Sequence, residues 1–263
     1  YIKNLEYESK DAPTISIGNP FNTSINEWTW VHGSDIINQP GIYGTKGVSS
    51  LNNVPGARNY STALKDVDGN LILFGGFGYD ATGTSSYLND LWKFNLVTKQ
   101  WTWLSGNDIY QKAGVYGNKG VSSSNNLPGA RQLPITWTDN NGYLWLFGGV
   151  GYDKNGKLSY LNDLWVYSSG LNEWKWVSGG ENVNQIGVYG TKGLASVNNI
   201  PGARRGSSSW VDKTGNLWLF GGFGYDKNGS LGYLNDLWKY DIASNQWSWM
   251  GGSEIANQSA IYG

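Results

Sequence analysis

The sequence predicts an all-β fold of repeated small antiparallel sheets, and three observations carry that prediction. The first is a tandem repeat. A Trp-x-Trp pair occurs at Trp28/Trp30, Trp101/Trp103, Trp174/Trp176 and Trp247/Trp249, each 73 residues after the one before. The second is composition. Of 263 residues, 38 are glycine, 15 tryptophan and 17 tyrosine, and only 15% are charged. Such a chain favours short strands joined by glycine turns over helix. The third is the absence of helical periodicity inside the repeat, where short extended segments alternate with turn signals.

Each element of the unit follows from the repeat. The string PGAR begins at Pro55, Pro128 and Pro201, glycine pairs fall at Gly75-Gly76, Gly148-Gly149 and Gly221-Gly222, and YLNDLW begins at Tyr87, Tyr160 and Tyr233. After Arg58, segment a (NYSTALKDV) meets a turn at Asp68-Gly69 and returns as segment b (NLILFGG). The turn recurs at Asn141-Gly142 and Thr214-Gly215, as a tight hairpin requires. The loop GYDATGTSS leads to segment c (YLNDLWKFNL), and a turn at Val97-Thr98-Lys99 leads to segment d (QWTWL). Four strands in an up-and-down meander cannot bury both faces of one small sheet. Radial stacking buries them blade against blade, which is a β-propeller. The two tryptophans of each pair lie two residues apart on one strand face, and they are expected to pack between blades. Burial of one such ring contributes about 2–3 kcal/mol.

The unit resembles the Kelch repeat. That pattern has a diglycine closing strand b, an aromatic late in strand c, and a tryptophan in strand d after six intervening residues. Here the last two are Phe94/Trp101, Tyr167/Trp174 and Tyr240/Trp247, and Phe21/Trp28 keeps the spacing in a partial unit. The repeat is longer than the ~50 residues typical of the family. The excess lies in the connector between d and the next a. The expected architecture is a Kelch-type β-propeller with three complete four-stranded blades and a partial N-terminal blade. Residues 1–20 read as a divergent segment or cap, 21–57 as the partial blade (strands c and d) with its connector, 58–130 as blade 1 and connector, 131–203 as blade 2 and connector, and 204–263 as blade 3 with the start of another connector. Propellers use four to eight blades. Closure is therefore expected from further blades of the same polypeptide or from a second chain.

Composition excludes several functions. With 19 basic and 20 acidic side chains, no basic excess exists to neutralise nucleic-acid phosphates. No cysteine and a single histidine, His32, exclude disulfides, thiol nucleophiles and multi-histidine metal sites. No apolar run is long enough for a membrane span. The chain opens at Tyr1, which suggests a processed product or a fragment. Some Kelch-like propellers, resembling galactose oxidase, use copper held by histidines and a tyrosine crosslinked to cysteine, and this chain lacks both sets. No pair of carboxylates stands out as catalytic. Neither an enzyme nor a cofactor is expected.

In a meander, the b–c and d–a connections share one side, and both are long here. Long loops on a rigid scaffold are common binding sites. The connectors repeat Tyr43 and Lys46, Tyr116 and Lys119, Tyr189 and Lys192; the b–c loops repeat Tyr79-Asp80, Tyr152-Asp153 and Tyr225-Asp226. Together these twelve are the candidate contacts for a protein partner or a glycan. Equally, the loops can pack on each other as one ordered structure per blade. The aspartates begin an Asp-x-Asn-Gly-like segment that could open a calcium loop, but the later acidic ligands are missing, and a polar turn fits better. Arg58, Arg131 and Arg204 recur with Asp90, Asp163 and Asp236, as buried charge pairs would. Variation between repeats follows the arginine, at Asn59-Tyr60, Gln132-Leu133 and Arg205-Gly206, and could tune a contact surface. The resemblance implies a non-catalytic scaffold for protein–protein interaction. A carbohydrate-binding or adhesive protein, and a structural subunit of an extracellular assembly, are the alternatives. A cysteine-free, Asn- and Gly-rich composition suggests a secreted or cell-surface location.

Overall fold

A computed structural model describes residues 28–262. The chain divides into two units, Tyr1–His32 and Gly33–Gly263. In the first, Trp28 and Trp30 are exposed and lie outside any strand, with the Trp30 indole donating to the His32 carbonyl at 3.1 Å. Strand d of the partial blade is thus not formed. No diglycine or YLNDLW segment precedes it in the sequence. Phe21 and the divergent residues 1–20 lie outside the described residues.

The second unit holds three sheets of identical topology, and no helix forms among the described residues. The first contains β1 (Ser49–Ser50), β2 (Arg58–Asn59), β3 (Thr62–Lys65), β4 (Leu71–Tyr79), β5 (Ser85–Asn95) and β6 (Gln100–Ser105). The second contains β7 (Ser122–Ser123), β8 (Arg131–Gln132), β9 (Ile135–Thr138), β10 (Leu144–Tyr152), β11 (Leu158–Ser168) and β12 (Glu173–Ser178). The third contains β13 (Ala195–Ser196), β14 (Arg204–Arg205), β15 (Ser208–Val211), β16 (Leu217–Tyr225), β17 (Leu231–Asp241) and β18 (Gln246–Gly251). The order in the first is β1-β6-β5-β4-β2, with β3 also on β4. Strands a to d are therefore β2 with β3, β4, β5 and β6. All pairs are antiparallel.

Two features enlarge the four-stranded blade. Strand a is broken opposite the diglycine, so β2 pairs with Phe77 and Gly78 while β3 pairs with Leu71 to Phe74. The b–c register slips at the same place, between Phe74 and Gly76. The connector also supplies an outermost strand: Ser49 and Ser50 pair with Thr102 and Trp101 of β6. Each connector is thus bonded to the sheet of the blade that follows it. The 122–123 strand pairs with β12 and the 195–196 strand with β18.

Strands a adjoin from blade to blade, β3 with β9 and β9 with β15, so they form the inner edge and the connector strands the outer one. The core lies between blades. One cluster joins Ile72, Phe74 and Leu91 to Leu144, Leu146, Tyr167 and Trp174, and its counterpart joins Trp145, Phe147 and Leu164 to Leu217, Leu219, Tyr240 and Trp247. The Trp-x-Trp pair divides its work here, which corrects the expectation that both rings pack between blades. Trp174 meets Phe74 of the preceding blade (centroids 5.7 Å) and Trp247 meets Phe147 (5.6 Å). Trp103, Trp176 and Trp249 instead pack edge-on against connector tyrosines. The reason is reach: the second ring lies further along strand d, where the connector covers it.

Gly148 shows why the diglycine is required. Its φ is +62°, and a Cβ there would stand 2.7 Å from the Arg204 carbonyl oxygen of the next blade and 2.8 Å from that of Leu161. Gly148→Ala is expected to cost about 2–4 kcal/mol, the left-handed penalty plus displaced backbone. Urea unfolding checks this, and a midpoint equal to wild type would refute it.

Candidate interaction surface

A buried ionic knot organises the long-loop side of every blade. Arg131 donates from Nη1 and Nη2 to the two carboxylate oxygens of Asp163 at 2.6 and 2.7 Å. Its remaining donors reach the carbonyls of Gly129 (2.9 Å) and Gly148 (3.0 Å). Asp163 Oδ2 also accepts from the Tyr116 hydroxyl and the Trp165 indole, each at 2.7 Å. Arg58–Asp90–Tyr43–Trp92 and Arg204–Asp236–Tyr189–Trp238 repeat the arrangement. The expected Arg–Asp pair is therefore present three times, buried and doubly bonded. Burial opposes ionisation of Asp236, but the Arg204 charge and the donors of Arg204, Trp238 and Tyr189 outweigh it, holding the carboxyl below its ordinary 3.8. Burial first, then the Asp236 charge, pushes the Tyr189 hydroxyl well above its ordinary 10.0.

Of the twelve candidate contact residues, three belong to this knot. Tyr43, Tyr116 and Tyr189 are buried in it and are not displayed to a ligand. Asp80, Asp153 and Asp226 are buried as well. Asp80 Oδ1 accepts from the Thr82 and Thr84 amides (2.8 and 3.0 Å), and Oδ2 from the Tyr110 amide (3.2 Å). Asp153 and Asp226 do the same in their own loops. Donors occupy the oxygens that a cation would need, so these are polar turns. Lys46 donates to the Gly106 carbonyl (2.9 Å) with its ammonium 4.4 Å from the Trp103 ring centre; Lys119 does so with Gly179 (3.0 Å) and Trp176 (4.2 Å). Lys192 lies 5.4 Å from the Trp249 ring. Tyr152 and Tyr225 sit in the joints between blades, edge-on to Tyr87 (5.9 Å) and Tyr160 (6.0 Å), and Tyr79 holds the same position on blade 1. The tyrosines and aspartates thus make contacts within the loops and joints, while Lys46, Lys119 and Lys192 are exposed.

The b–c turns and connectors do lie together. Gly41 N donates to the Asp80 carbonyl (3.1 Å) and Ala81 N to that of Asp108 (2.9 Å), so each turn is held between the arriving and departing connectors. Asn89 joins in, its amide donating to the Pro128 carbonyl (3.1 Å) and its oxygen accepting from Asn107 N (3.0 Å).

The positions that vary between repeats lie at the break in strand a. Tyr60, Leu133 and Gly206 occupy the break in strand a, on the inner edge, with φ of 52°, 52° and 65°. Tyr60 is exposed and its carbonyl accepts from Leu133 N of the next blade (2.9 Å). Left-handed φ is uncommon for bulky side chains, and no residue type in NY or QL announces it. The inequality of the three repeats at this position was the only sequence signal.

A family model described as the KLHDC2/KLHL20/DRC7 Kelch-repeats domain matches residues 45–250, most of the chain. The chain belongs to the Kelch-repeat family. Members of that family generally act as scaffolds for protein interaction. A solved structure described as "Structure of YjhT" is similar over 75% of this Kelch-repeat chain, at 18% identity and a TM-score of 0.45. The chain spans about half of that protein, 53% of its length. No curated protein matches.

Arg131→Ala strands a buried carboxylate and is expected to cost about 3–5 kcal/mol, read as a lower denaturant midpoint; a loss under about 1 kcal/mol would show that the knot is not buried. The pH dependence follows from the third knot. The folded value of Asp236 lies below its unfolded one, so its contribution is complete above about pH 4 and is lost as pH falls through the folded value. The Tyr189 value is raised, so its contribution is complete below about pH 10 and is lost as pH rises beyond it. Denaturant midpoints across the pH range should show a plateau with both flanks falling. A midpoint that rises on acidification below about pH 4 would contradict this.

Proposed function

We propose that this chain is a non-catalytic scaffold that binds a protein partner on its long-loop side, centred on the inner-edge positions Tyr60, Leu133 and Arg205. The supporting observation is the left-handed backbone at Tyr60 and Leu133. A side chain in that conformation costs on the order of 1 kcal/mol or more. Gly206 shows that the scaffold accepts glycine there. A large apolar group kept at such a cost on the inner edge suits an anchor for a partner. The neighbouring Arg205 lies over the Phe223 ring at 5.8 Å. Arginine on an aromatic platform is a common interface element.

Two measurements test the reading. Tyr60→Gly and Leu133→Gly should leave unfolding within about 1 kcal/mol of wild type, or raise it, because they remove the backbone penalty. In the second, a photocrosslinking residue at 60 or 133 should capture one discrete polypeptide from native extract. The same probe at 140 or 213, on the opposite turns, should not. Capture of polysaccharide alone, or equal labelling from both sides, would overturn the proposal.

A further inference from the structure

The a–b turn of blade 2 departs from its two equivalents at its closing residue. The three turns read DVDGN over residues 66–70, DNNGY over 139–143 and DKTGN over 212–216. In the first and third, the closing asparagine turns back on the aspartate that opens the turn. Asn70 Nδ2 donates to Asp66 Oδ2 at 3.0 Å, and Asn216 Nδ2 to Asp212 Oδ2 at 2.9 Å. In blade 2 a ring, Tyr143, replaces that amide. Asp139 keeps the backbone half of the turn, its Oδ1 accepting from the amides of Asn141 (2.9 Å) and Tyr143 (3.0 Å). Its Oδ2 accepts from the Trp145 indole at 2.8 Å, whereas Asp212 Oδ2 accepts both the Trp218 indole (2.8 Å) and the Asn216 amide. Asp139 is only 5% exposed, yet this oxygen has one donor fewer. The ring that displaced the donor is 42% exposed and lines a hollow of about 380 Å³ between blades 2 and 3. A second hollow, of about 560 Å³, adjoins it through Asp139, Asn141 and Ile242.

We propose that this groove binds a neutral hexopyranose, free or as one residue of an oligosaccharide. A pyranose has an apolar C–H face and a rim of hydroxyls that donate and accept. Tyr143 supplies an aromatic surface for the face. A sugar hydroxyl donates to Asp139 Oδ2, in place of the amide that Asn216 gives Asp212. Asn245 lines the same hollow, and its oxygen is already engaged by the Tyr240 hydroxyl at 3.1 Å, so it offers N–H donors to the rim. Among the residues lining the groove, the carboxylates of Asp139 and Asp241 outnumber the one ammonium, that of Lys175, which disfavours an anionic sugar. Both hollows lie within the roughly 300–1,000 Å³ of small-molecule sites. The corresponding hollow between blades 1 and 2 is smaller, about 260 Å³, and carries Val67 where Asn140 stands. Its tyrosine, Tyr167, is buried at 1% exposure and presents no ring face. One joint of the two is therefore equipped. It lies on the turns opposite the long-loop side and does not depend on the protein-partner reading.

A chemical-shift titration of the isotope-labelled 263-residue chain tests this. The probes are the methyl glycosides of glucose, galactose, mannose and N-acetylglucosamine, each taken to about 50 mM. At least one should move the Trp145 indole N–H, which shares Asp139 Oδ2 with the sugar, with a dissociation constant on the order of 1–10 mM. Tyr143→Asn restores the residue of the other two turns. It should hold or raise the unfolding midpoint and weaken binding at least ~10-fold. Tyr143→Phe keeps the ring and should bind within ~3-fold of wild type. No movement with any of the four glycosides overturns the proposal, as does undiminished binding by Tyr143→Asn. Equal movement of the Asn70 side-chain amide in blade 1 would show non-specific contact and overturn it too. A response to glucuronic acid alone would overturn the neutral class.

Discussion

A carboxylate buried at the middle of strand c is the constraint on which each blade depends. Asp163 sits where water cannot reach it, so its charge must be met by fixed donors. Those donors come from every part of the blade: the guanidinium from the start of strand a, the indole from strand c itself and the hydroxyl from the connector. The same guanidinium also binds the bulge carbonyl of strand b. Strand pairing alone would leave the connector as a long loop. The tyrosine bond to the aspartate fixes it to the sheet, and the two-residue outer strand and the lysine over the second tryptophan follow from that fixed path. The length of the repeat beyond the family norm is thus structural rather than decorative.

The fold was legible because its causes recur at a fixed spacing. Diglycine, YLNDLW and the d-strand tryptophan each mark one strand, and their period rules out helix without any strand prediction. The Arg–Asp pairs were legible for the same reason, since charges that recur in apolar segments need partners. The outer strand was not. Ser49-Ser50 and its equivalents have no alternation and no β-branched residue, and they pair only because the tyrosine anchor brings them to the edge. The connector tyrosines and lysines were ambiguous from sequence, because a repeated aromatic reads the same whether it stacks on a ligand or on Trp103. Only knowledge of which strand passes beneath decides between them. The left-handed Tyr60 and Leu133 gave no local signal either; their positions were visible only as places where otherwise matching repeats disagree.

That disagreement separates scaffold from surface. Residues held by the knot and the bulge recur in all three blades, and joint positions stay apolar, as at Leu64, Trp137 and Trp210, since each copy must solve the same packing problem. Positions released from those demands are free to differ. Tyr60, Leu133 and Gly206 share one backbone conformation but carry an aromatic, an aliphatic and no side chain. The conformation is imposed by the break in strand a opposite the diglycine; the side chain is not. A scaffold of this kind can present three different groups on one geometry.

The joints obey the same logic at a larger scale. A blade has two unlike faces, one led by a phenylalanine of strand b and one by a tryptophan of strand d, so blades add in one direction only. Any open stack of such units must therefore end in one face of each kind. The two end faces match each other by construction, whatever the number of blades between them. Exposure of Phe220 and Leu71 is a consequence of that polarity and not of any peculiarity of blades 1 and 3, whose sequences are as apolar at these sites as the buried equivalents. An end face with the composition of a core is unstable toward association. Whatever covers such a face must supply the ring that the adjoining blade supplies inside the chain, as Trp174 does for Phe74.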